Sequence, residues 1–109
     1  MVLRTMLITL IILFANTAQA LGSNLNKSVT IIHSPDHRPC TFFQLEGVTE
    51  ASPAVPNEPW FSVNINHDGH EVIVSILLTA LTSGKKVDVI TTGDVDCGFT
   101  QVSSVRILP

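Results

Sequence analysis

At 109 residues the chain has room for one domain, and a formal charge of −3 without any run of basic residues disfavours polyanionic partners such as nucleic acid. Only 14% of residues are charged and 45% are hydrophobic, with no low-complexity repeat, which argues against a disordered chain.

The first segment has the parts of a signal peptide. Arg4 supplies a positive start, Met6 to Ala15 an apolar core too short to span a bilayer, and Ala18-Gln19-Ala20 a small-x-small cleavage site. The competing reading, a membrane anchor, needs about 20 apolar residues, and Asn16, Thr17 and Gln19 end the run before that. The expected product is a single domain over 21–109, secreted or periplasmic after cleavage near Ala20, with no membrane span. Loss of Arg4 takes its formal charge to −4.

Export would place Cys40 and Cys97 in an oxidising compartment, where a disulfide between them closes a long loop. Two unpaired buried thiols are the alternative. Neither cysteine belongs to a CxxC redox or zinc pattern.

Leu21 to Lys27 is polar and reads as a loose lead-in, within which Asn26-Lys27-Ser28 matches a glycosylation sequon that matters only in a eukaryotic secretory pathway. Ser28 to His33 is β-branched and predicts a first strand. Ser34 to Pro39 is turn chemistry, and Cys40 to Leu45 predicts a second strand. Glu46 to Pro59 carries Gly47, Pro53, Pro56 and Pro59 without periodicity and predicts the longest loop. In Trp60 to Asn66, Phe61, Val63 and Ile65 alternate with Ser62, Asn64 and Asn66, predicting a third strand with one buried and one wet face.

A helix follows. Asp68 can cap it, with Glu71 three residues on completing a capping box, and Gly84 suits the left-handed stop. At 100° per residue Glu71, Ser75, Thr79 and Thr82 fall within about an 80° arc, and apolar residues including Val74 and Leu78 fill the rest. That apolar arc is wider than packing on one sheet requires. The β-branched run Val72 to Ile76 could instead be a doubly buried strand, but the apolar stretch continues through Leu81, longer than a usual strand. Lys86 to Thr92 then predicts a fourth strand, Gly93 to Gly98 a turn, and Thr100 to Leu108 a fifth strand. Mainly β with one helix, in the order β-β-β-α-β-β, is the order of an oligonucleotide/oligosaccharide-binding (OB) barrel.

Cys40 opening strand two, Gly47 ending it, Trp60 and Ser62 in strand three, and the segment SILLTALTSGKKVDV from Ser75 resemble the B subunits of subtilase cytotoxin and pertussis-like toxins. The resemblance implies an exported OB-fold protein, frequently a ring of five, that binds host glycans and presents a catalytic A subunit. In such a ring the stripe Glu71, Ser75, Thr79 and Thr82 faces the pore, with Val74 and Leu78 on the flanks that meet barrel or neighbour. The family's glycan surface places a serine near the first strand beside acidic and aromatic side chains. Ser28 and Thr30 stand there in this sequence, which has no tyrosine and a single tryptophan, Trp60.

Other chemistry has weaker signals. His33 and His37 flank a Ser-Pro loop, and His67 and His70 flank the helix start, so solvated loop histidines are a better reading than a zinc site. Asp94 and Asp96 lack the full spacing and terminal Glu of a calcium loop. No serine sits in a nucleophile elbow and no acid pair is singled out by spacing, so the expectation is no enzyme, no metal and no cofactor. Trp60 has the opposite parity to Phe61, Val63 and Ile65; structural packing, for instance at a subunit interface, is favoured over a sugar-stacking platform. The leading reading is thus a secreted, glycan-recognising, B-subunit-like module. The alternatives are a monomeric periplasmic or surface accessory protein of the same fold without glycan specificity, and an inhibitor using Glu46 to Pro59 as bait.

Overall fold

The computed structural model describes residues 22–109; the expected signal peptide lies outside them. Five strands and one helix follow in the order expected: β1 (Ser23–His33), β2 (Cys40–Leu45), β3 (Phe61–Asn64), α1 (His70–Ser83), β4 (Lys86–Asp96) and β5 (Phe99–Ile107). The strands close into a barrel in the order β1-β2-β3-β5-β4, antiparallel except where β3 meets β5 in parallel. This is a five-stranded OB-fold barrel with its helix between strands three and four.

The barrel interior comes from alternate residues of each strand. Phe43 and Phe61, Cα partners on β2 and β3, stack inside with ring centroids 5.0 Å apart, and Val63, Val87, Val89 and Val102 complete the layer. The helix adds Ile73, Leu77 and Ala80 to the same cluster. It ends as its glycine predicts, with Gly84 left-handed at φ 72° and its N–H donating to the Ala80 carbonyl.

Several local expectations are overturned. The lead-in is not loose, because β1 starts at Ser23 and Ser23 to Ser28 pairs with β4. A register shift between Asn24 and Lys27 puts Asn26 at φ 58°, and its N–H donates to the Asp88 carboxylate at 2.8 Å. The capping box is absent: Asp68 is exposed, the helix begins at His70 after Gly69, and no side chain caps it. The chain from Asn64 to His70 is spent on successive turns, with His67 N–H donating to the Asn64 carbonyl and His70 N–H to the His67 carbonyl. The helix therefore starts one residue late, with Gly69 instead of Asp68 at its cap position. On β3 the alternation holds for Phe61 and Val63 but not for its neighbours, since Ser62 is fully buried and Ile65, past the strand end, is 55% exposed. Gly93 to Asp96 stays in β4, and the turn is the two residues Cys97 and Gly98, at φ 51° and 83°. Two successive positive φ values define the hairpin turn whose twist matches its strands.

Cys40 and Cys97 form a disulfide. The long loop packs on the barrel through Ala51 and Ser52, both buried, with Ser52 Oγ 3.0 Å from Thr100 Oγ1 and Asn24 donating to the Ala51 carbonyl. It leaves Val72, Leu78 and Leu81 of the helix at 64%, 49% and 40% exposure.

Candidate binding surface

The loop β1–β2 and the turn β4–β5 meet beside strands β2 and β3, and the disulfide ties them there. In a strand, residues two apart share a face. Phe42 follows Cys40 by two on β2, and Phe99 opens β5 directly after the Cys97-Gly98 turn, so the bond that joins the cysteines also draws together the chain segments that carry the two phenylalanines. Their rings meet edge to face at 5.1 Å.

Trp60 completes the cluster just before β3 begins. Its ring lies 6.5 Å from Phe42 and 6.3 Å from Phe99, with His33, at the end of β1, 6.4 Å away. Being out of phase with Phe61, Trp60 stands outside the barrel core, half-buried. Arg38 arches over from the β1–β2 loop, its guanidinium 4.8 Å from the centre of Phe42 and 5.6 Å from that of Phe99, and it donates to the Cys97 carbonyl. Stacked on two rings and tied to the backbone, this cation is held in place at low entropic cost. Pro35 and His37 close the outer wall, and the result is an open groove of about 270 Å³. His37 Nδ1 lies 2.9 Å from the exposed Asp36 carboxylate.

The groove can stack a flat apolar face on Trp60 and meet polar groups with Arg38 and His33. It also occupies the position where OB barrels take oligosaccharides and oligonucleotides, on the strand 2–3 face between the loops 1–2 and 4–5.

No family model, curated protein or solved structure matches this chain. The chemistry of the surface is therefore argued from its own residues.

Of the three glycan-contact residues expected from the sequence, Trp60 alone lines this groove. Ser28 and Thr30 lie further along β1, where Ser28 pairs with Lys86 of β4 and the Thr30 hydroxyl donates to the Gln44 carbonyl. The register of β1 thus separates the serine side of the expected site from its aromatic side. On the helix, Glu71, Ser75, Thr79 and Thr82 are exposed as one stripe, Leu78 is exposed beside it and Val74 is partly buried. Thr79 and Thr82 turn their hydroxyls back to the helix carbonyls of Ser75 and Leu78.

The histidines divide by position. His33 and His37 line the groove. His67 accepts the Gly69 N–H at Nδ1, which leaves its Nε2 proton for the Ser103 carbonyl at 3.2 Å, and His70 Nε2 meets Thr41 Oγ1 at 3.0 Å. Among the described residues one set of potential metal-ligand atoms converges, Cys40, Cys97 and Asp96, and its sulfurs are committed to the disulfide. No helix among the described residues is long and apolar enough to cross a membrane.

The sequence reasoning missed Phe42, Phe99, His33 and Arg38 as partners of Trp60. The signal was present in the repeated pattern of a cysteine followed two residues later by phenylalanine.

Proposed function

We propose that this protein is an exported, non-catalytic binding module that recognises host glycans, in the manner of toxin B subunits, and that its contact surface is the groove of Trp60, Phe42, Phe99, His33 and Arg38. The observation that carries the reading is the position and make-up of that groove. An aromatic platform with a fixed cation, at the ligand-binding end of an OB barrel, suits a sugar ring's apolar face and polar rim. The disulfide is compatible with an oxidising extracellular or periplasmic compartment. The resemblance over Ser75 to Val89 adds a ring of such subunits and a catalytic A subunit as partners. The exposed apolar flanks of the helix, Val72 on one side and Leu78 with Leu81 on the other, support self-association.

A glycan array tests this with the parent protein, Trp60→Ala and Ser28→Ala. Reproducible binding that disappears in Trp60→Ala and survives in Ser28→Ala places the ligand in the groove. Loss in Ser28→Ala alone moves it to β1, and a blank array at high protein concentration favours an accessory protein without glycan specificity.

A further inference from the structure

A second cavity, of about 300 Å³, lies on the same outer face as the aromatic groove. Its character is different: Asn64, Asn66, His67, Asp96 and Gln101 supply its polar lining. Strand register fixes the relation between the two. Phe42 of the groove is the Cα partner of Ser62, and Ser62 is the partner of Gln101, so the three stand in one row across β2, β3 and β5. Two strand spacings, roughly 10 Å, separate Phe42 from Gln101. Two residues along, Cys40 is paired with Asn64 across β2 and β3, and Cys97 follows Asp96 directly. The disulfide thus adjoins both cavities, through Phe42 on the strand of Cys40 and through Asn64 and Asp96 beside the two cysteines.

The pocket's side chains are partly committed to one another, which fixes what they have left to offer. Asn64 Nδ2 donates to Asp96 Oδ1, and Asn64 Oδ1 accepts the Asn66 N–H. Thr92 Oγ1 accepts the Asp94 N–H and donates to Gln101 Oε1 at 2.7 Å. The Gln101 amide is thereby oriented with its NH₂ group unpaired among the described residues, and the second oxygen of Asp96 likewise has capacity to accept there. A held carboxylate acceptor beside a held amide donor matches groups that donate and accept at once, the neighbouring hydroxyls of a sugar. The Asp96 carboxylate, bonded to a neutral amide, disfavours an anionic group in the same place.

We infer that the groove and this pocket are two subsites of one extended site, which takes an oligosaccharide of at least two units with a neutral, hydroxyl-bearing sugar over Asp96 and Gln101. The inference rests on the glycan reading of the groove. It adds that a single sugar is too short to engage both subsites, since Trp60 stands two residues before Ser62 and Ser62 pairs with Gln101 one strand over, which sets Trp60 and Gln101 roughly 8 Å apart along the face. Affinity should therefore rise with chain length beyond one unit.

The test uses the native, disulfide-bonded protein with a panel of neutral mono-, di- and trisaccharides of galactose, glucose, mannose and N-acetylglucosamine. Proton–nitrogen correlation spectra follow the indole N–H of Trp60, the one tryptophan in the chain, and the side-chain amides of Gln101, Asn64 and Asn66. The expected result is a di- or trisaccharide that moves both sets of signals with one saturation curve and binds at least tenfold more tightly than its component sugars. Gln101→Ala should cost tenfold or more in that affinity while the Trp60 signal still responds. If Trp60 responds and the amides do not, or Gln101→Ala binds the oligosaccharide as well as the parent, the two-subsite inference is overturned and the glycan reading of the groove stands. Movement at the amides without Trp60 overturns it equally. If no saccharide moves either set, the glycan reading falls and takes the inference with it.

Discussion

Replacing both cysteines tests what the disulfide contributes to the fold, and the size of the effect can be worked out in advance. The bond joins residues 57 apart in sequence, and in the chain-entropy model a loop of that length restricts the unfolded chain by about 4 kcal/mol. Small domains are stable by about 5–15 kcal/mol, so the double variant Cys40→Ala/Cys97→Ala should lose a large share of its margin, close to a thousandfold in the folded-to-unfolded ratio. A second contribution is separable. Cys97 sits at φ 51°, a conformation costly for any residue with a Cβ, and Cys40→Ala/Cys97→Gly should recover about 1 kcal/mol relative to alanine at the same position. Equilibrium urea unfolding followed by Trp60 fluorescence and by far-ultraviolet circular dichroism measures all three proteins. A double variant within about 1 kcal/mol of the parent would refute the crosslink argument, and equal stability with alanine and glycine at 97 would refute the turn argument.

Further outcomes follow from single side chains. Leu78 is 49% exposed, so Leu78→Asp should leave the monomer folded by circular dichroism and lower the mass seen by light scattering if the helix faces a neighbouring copy. Ser62 carries a fully buried hydroxyl without a hydrogen-bond partner among the described residues, and Ser62→Ala should therefore leave stability unchanged or raise it by about 1 kcal/mol in the same urea assay. Leu77 is fully buried between helix and barrel, and Leu77→Ala should cost about 2–5 kcal/mol. The hydrogen bonds from Arg106 and from Asn26 N–H hold the Asp88 carboxyl below its ordinary value of 3.8. Its stabilising effect is complete above that value and is lost as pH falls through the lowered one, so Asp88→Asn should flatten the acid limb of a stability-against-pH profile below about pH 4 and leave its shape at neutral pH unchanged.

The element order was legible because each boundary had a local cause: Gly84 stops the helix, Pro39 precedes β2, and valines alternate in β4. What escaped the sequence depends on partners distant in the chain. Ser23 to Lys27 has no strand-like alternation and is held by β4 together with the side chain of Asp88, 62 residues beyond Asn26. Ser62 reads as a wet position, yet it is fully buried, with the equally buried Phe42 beside it in the row. The capping box had the right spacing and lost to a run of turns from Asn64, in which His67 rather than Asp68 accepts a backbone proton near the helix start. The candidate surface was half legible. Trp60 and its outward parity could be read, whereas its partners required knowing that the cysteines pair and so bring Phe42 of β2 beside Phe99 at the start of β5.

Along β2, β3 and β5 the residues that fill the barrel alternate with those that line its outer face, so Phe43, Phe61 and Val102 are interleaved with Phe42, Ser62 and Gln101. The barrel core and its outer face are thus written in the same three strands by interleaved sets of residues, of which Phe42 and Ser62 are themselves buried and Gln101 is partly open. On the glycan reading proposed above, an open outer position such as Gln101 can change with the ligand while the inner ones, and the clasp between Cys40 and Cys97, stay as they are.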